Sequence, residues 1–100
     1  MSKKVLLIKS ISKTDKKLTN PSRLVLLELL YHGPVTFTFA KHFVDLADGN
    51  LASHFKALID AGYLKKDKLL GFKEKIVTLY TITELGKFEY VKFRHLLKEW

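Results

Sequence analysis

One hundred residues, 47% of them hydrophobic, with a net charge of +8 and a pI near 9.7, describe a single basic domain able to bury a core. The absence of cysteine excludes a disulfide framework, a thiolate metal site and a cysteine nucleophile. The longest early apolar run, Val5-Leu6-Leu7-Ile8, is too short for a signal-peptide core or a bilayer span, so a soluble, cytoplasmic protein is expected.

In chain order, residues 4–12 predict a helix with Leu7, Ile8 and Ile11 clustered on it, a short strand being the alternative. Residues 13–19 are polar and basic and read as a loop. Asn20-Pro21 then supplies an N-cap and a proline at the first helical position, and Gly33-Pro34 supplies the stop. Between them Leu24, Leu27, Leu30 and Tyr31 line one face. Val35-Thr36 is extended, and a short helix from about residue 38 to 44 is expected to bury Phe39, Ala40 and Phe43. After a turn at 45–48, Asp48 should cap a helix that ends at Gly62. Residues 63–69 and 75–82 are rich in aromatic and β-branched side chains and predict a hairpin around Gly71. Thr83 caps a last helix that runs to Trp100.

Two short helices joined by a tight turn and followed by a hairpin predict a winged helix-turn-helix. The expected fold is mostly α with a small β-hairpin wing (α+β), a three-helix core with added N- and C-terminal dimerisation helices. One domain spans residues 1–100, divided into an N-terminal helix at 1–12, the winged helix at 20–83 and the C-terminal helix at 84–100.

In "DGNLASHFKALIDAGYLKK" at 48–66, Leu51, Phe55, Leu58 and Ile59 share one side. The other side is small and sparsely polar, which suits a helix pressed into a major groove about 12 Å wide. The candidate DNA contacts on it are Gly49, Asn50, Ala52, Ser53, His54 and Lys56. Asn50 can pair with adenine, and Ser53 can bond a base or a phosphate. Lys56 suits phosphate, and His54, at the edge of the apolar face, suits packing or phosphate. On the wing, alternation sets Lys66 and Lys68 on one face and Lys65 on the other, while Lys73 and Lys75 border the tip. Phe72 at the tip could wedge into a minor groove or fold back on its hairpin. Each lysine also has a plain reading as a solvated surface charge. Among the eighteen Lys and Arg residues only Arg23 and Arg94 are arginines. That balance favours phosphate contact over bidentate reading of guanine.

These pieces, "PSRL" at 21–24, "TF" at 36–37, "DGNLASH" at 48–54, "AGYL" at 61–64 and "TLYTIT" with Gly86 at 78–86, resemble the archaeal and bacterial winged-helix transcriptional regulators related to the MarR and ArsR groups. The resemblance implies a homodimer that binds duplex DNA through its recognition helix and wing. The chain departs from it at Ser53, where relatives often carry arginine, and in a wing that offers lysine instead of arginine. Both departures favour phosphate contact with modest sequence preference.

The last helix carries two apolar stripes, Phe88 with Val91, and Tyr90 with Phe93, Leu97 and Trp100. One stripe can meet the core and the other needs a second surface. The expected dimer interface is Tyr90, Phe93, Leu97 and Trp100, with Leu7, Ile8 and Ile11 over the seam. His32, His42, His54 and His95 have no helical ligand spacing, and no catalytic set is recognisable, so neither metal, cofactor nor enzyme activity is expected. The competing reading is a winged helix used for protein interaction in a transcription or chromatin assembly. RNA is a poorer fit, because its A-form major groove does not admit a helix.

Overall fold

The computed structural model describes residues 20–44 and 46–99, apart from the side chains at 72, 97 and 99. The elements run α1 (Pro21–Tyr31), β1 (Val35–Thr36), α2 (Phe37–Phe43), α3 (Asp48–Asp60), β2 (Leu64–Leu70), a 3-10 turn (Phe72–Glu74), β3 (Ile76–Ile82) and α4 (Glu84–Glu99). The helix expected at 4–12, with Leu7, Ile8 and Ile11, lies outside the described residues, as does Trp100.

Local chemistry sets the helix ends. Asn20 Oδ1 accepts from the Ser22 and Arg23 backbone N–H groups at 3.0 and 3.3 Å, and Pro21 needs no such partner. Gly62 takes φ +84° at the end of α3. Its N–H donates to the Ile59 carbonyl, and that of Tyr63 donates to the Leu58 carbonyl, both at 2.9 Å, a Schellman closure. Thr83 Oγ1 accepts from the Gly86 N–H at 3.0 Å and donates to the Gly62 carbonyl at 2.6 Å. One hydroxyl thus ties the end of α3 to the start of α4. Gly86 is required there, since a Cβ would stand 2.2 Å from the Tyr63 carbonyl oxygen.

The three strands form one antiparallel sheet in the order β1-β3-β2. Val35 pairs with Tyr80, and the long ladder runs from Leu64 opposite Ile82 to Leu70 opposite Ile76. Leu26, Leu27 and Leu30 of α1, Leu51, Phe55 and Leu58 of α3, and Leu64, Tyr80 and Ile82 of the sheet make the centre of the core.

Two expectations about burial are corrected. In α2 only Ala40 is buried, while Phe39 and Phe43 are 47% and 62% exposed and lie against each other with ring centroids 5.0 Å apart. A seven-residue helix has too few turns to declare its phase, and Phe37 at its start packs toward the core instead, 6.0 Å from the Phe55 ring. In α4 the stripes exchange roles. Tyr90 and Phe93, expected at a dimer interface, are buried in the chain's own core, and Leu85, Phe88 and Val91 face out. On the buried side the Tyr90 hydroxyl donates to the Glu28 carboxylate on α1. That hydrogen bond holds the Glu28 carboxyl below its usual range, while burial and the same partner push the Tyr90 hydroxyl up.

Candidate nucleic-acid interface

The start of α3 differs in detail from the expectation. Asp48 lies inside the first turn, and Ala47 occupies the cap position without a side-chain bond. The Asp48 carboxylate instead meets Lys41 Nζ at 2.6 Å, an ion pair that spans the turn between α2 and α3. Beyond it Gly49, Asn50, Ala52, Ser53 and Lys56 are all exposed. Leu51, Phe55 and Leu58 anchor the opposite side, which makes α3 a helix with one buried face and one small, open one.

The wing rises beside that face. Phe55 stacks on Tyr80 with centroids 3.9 Å apart and planes within 5°, which fixes the hairpin against α3. Lys66 lies opposite Tyr80 in the ladder and so shares its face. Ala52, Lys56 and Asp60 of α3 and Lys66 and Tyr80 of the hairpin line one cleft of about 370 Å³. Lys68 continues the same face opposite Thr78, whereas Lys65 lies on the other, as alternation predicts. Lys73 and Lys75 are exposed at the tip, where Lys73 takes a left-handed φ of 58°. The expectation for Phe72 concerns a side chain outside those described. Lys56 Nζ reaches Asp60 at 3.2 Å, an exposed pair worth little in water and easily given up to a phosphate.

Sequence reading missed the tie between α1 and α3. Arg23 Nε–H donates to His54 Nδ1 at 3.1 Å, which makes the half-buried imidazole an acceptor and leaves its proton on Nε2. His54 thereby orients one of the chain's two arginines at the root of α3. Thirty-one residues separate the two, and neither spacing nor composition signals the contact. Burial, with the Arg23 charge added, pushes the His54 pKa below its usual range. The folded ring resists protonation while the unfolded ring titrates near 6.5, so this contribution to stability is full above about pH 6.5 and declines below it. Denaturation midpoints from pH 8 to 5 should fall for the wild type, and His54→Gln should flatten part of that slope. An unchanged slope would remove His54 as its source.

A helix pair joined by a short turn, with a twisted hairpin packed on its second helix, defines a winged helix-turn-helix. The comparisons with known proteins agree. A family model described as a winged helix DNA-binding domain matches residues 22–100, and the chain belongs to that family. A transcriptional regulator homologue from Pyrococcus horikoshii OT3 is similar at 31% identity and a TM-score of 0.83, over 93% of this chain and 91% of that one. A MarR-family regulator from Enterococcus faecalis V583 shares the fold at 15% identity and a TM-score of 0.75, over 98% and 84% of the two chains. Bacillus subtilis PadR, solved in complex with operator DNA, shares it at 17% identity and a TM-score of 0.68, over 76% of this chain and 46% of that one. No curated protein matches the sequence. Among the described residues no helix is long and apolar enough to cross a membrane, and no group of three or more histidine or acidic side chains is placed to hold a metal ion.

Proposed function

We propose that the chain is a dimeric duplex-DNA-binding transcriptional regulator, with α3 in the major groove and the wing along the backbone or minor groove. The observation that carries this reading is the single concave surface on which Ala52 and Lys56 of α3 meet Lys66 of β2. Asn50 and Ser53 lie on the same open helix and can bond base edges, while the lysines at the margin reach phosphates. The operator complex of PadR supports duplex DNA as the partner, and the Pyrococcus homologue supports a regulatory role.

The dimer is assigned to the outward side of α4. Leu85, Phe88 and Val91 are exposed there, and Phe88 and Val91, with Tyr31, border an open groove of about 610 Å³. An isologous contact would cover this face twice with one patch. Two recognition helices would then read half-sites one helical turn apart. The protein-interaction reading draws on a separate patch, the exposed Val25, Phe39 and Phe43 of α1 and α2.

Competition binding against a library of duplexes tests the assignment of roles. Asn50→Ala and Ser53→Ala should flatten the preference among sequences. Lys56→Ala, Lys66→Ala and Lys73→Ala should weaken every duplex alike. Lysine variants that shift preference, beside an Asn50 variant that does not, would reverse the roles. Absence of any duplex binding at low salt would favour the protein-interaction module.

A further inference from the structure

We propose that the tip of the wing is an apolar wedge that enters the minor groove of duplex DNA, an inference that rests on the DNA-binding reading above. Leu70 and Ile76 form the last rung of the ladder and are 75% and 70% exposed. They stand on the same sheet face as Lys66 and Lys68, the face that turns toward α3, so they extend the candidate interface outward. A hairpin end that only meets water has no use for two large aliphatic side chains side by side.

The backbone beneath them is built tightly. The Gly71 N–H donates to the Lys75 carbonyl at 2.6 Å, and Lys73 and Glu74 both hold left-handed φ values, 58° and 60°. A Cβ on Gly71 would come within 2.7 Å of Val77 Cγ2. Strained, closely packed backbone of this kind fixes the position of what it carries.

Charge selects the occupant. Lys68 lies one step inward on the same face, and Lys73 and Lys75 border the tip against the single carboxylate of Glu74, while Asp67 points to the other face. An apolar pair ringed by cations fits the stacked faces of a base step opened between two rows of phosphates. Leucine and isoleucine serve as such wedges elsewhere, where they unstack a base step.

The test uses an A·T-rich duplex with 2-aminopurine at a central TA step, at low salt. Wild type should raise the fluorescence on binding and be displaced by distamycin, which occupies the minor groove. Leu70→Ser/Ile76→Ser, with its fold checked by circular dichroism, should bind about tenfold more weakly, raise no fluorescence and keep the same salt slope. Leu69→Ser, on the opposite face, should behave as wild type. A double variant equal to wild type in affinity and fluorescence would overturn the wedge and leave the DNA reading intact, as would a wild type that binds without unstacking. A wild type that binds no duplex, or binds only phosphatidylserine vesicles, would overturn both.

Discussion

Phe55→Ala should lower stability by about 3–5 kcal/mol, the range for emptying a buried aromatic site. Phe55 is 1% exposed and sits where three elements meet: it belongs to α3, stacks on Tyr80 of β3, and receives Phe37 from the start of α2. Small domains hold about 5–15 kcal/mol in total, so the variant should stand at the edge of folding. Urea titration followed by circular dichroism gives the measurement. Val25→Ala is the comparison, since an exposed apolar side chain outside the core should change stability by only about 0.5 kcal/mol. The same contact explains a functional consequence. Because the Phe55–Tyr80 stack ties α3 to the hairpin, milder changes such as Phe55→Leu should weaken DNA binding by more than they weaken the fold.

The second large effect is electrostatic. If Lys56, Lys66, Lys68, Lys73 and Lys75 of two subunits supply 6–10 phosphate contacts, affinity for duplex DNA should fall about 10³–10⁵-fold between 50 and 200 mM salt. Titration of a fluorescent duplex at four or more salt concentrations reads this slope directly. The chain's excess of cations makes some attraction to any polyanion expected, so the size of the slope matters more than its existence. A slope equivalent to one or two contacts would mean that the lysines of the wing stay in water. Alanine at Lys66, which removes one contact from each subunit, should reduce the slope by about two units, whereas alanine at Lys65 on the far face should leave it unchanged.

Much of this fold is legible where one residue type has one physical use. Asn20-Pro21, Gly62 and Thr83 each mark a helix end, because an orphan N–H, a left-handed backbone or a capping hydroxyl is satisfied by few alternatives. The alternation of β2 and the open face of α3 follow from simple periodicity and survive in the structure. What the sequence hides is phase and long-range pairing. Phe39 and Phe43 look like core residues, yet α2 is too short for its moment to be defined, and Phe37 takes the inward place. On α4, two stripes of similar strength compete, and Tyr90 and Phe93 take the core side, where the tyrosine hydroxyl reaches Glu28 on another helix. The Asp48–Lys41 pair and the Arg23–His54 bond are likewise contacts between elements, and each changes the role that local sequence would give an acid or a histidine.

Of the candidate site, the α3 residues and Lys66 were readable as one surface once the hairpin was placed behind the helix. The apolar rung of Leu70 and Ile76 was not, because two aliphatic residues beside a glycine turn read simply as strand ends until the register sets them opposite each other in the open.

The central claim is that α3 and the adjoining face of the wing are the surface that meets duplex DNA. Amide chemical-shift mapping of the isotopically labelled protein, titrated with duplex DNA at low salt, tests it most directly. The account predicts the largest changes at Asn50, Ala52, Ser53 and Lys56, with a second group at Lys66, Lys68 and the residues around Gly71, and little change along Leu85, Phe88 and Val91 of α4. Changes concentrated on α4 or on the Val25–Phe43 patch, with α3 silent, would contradict it.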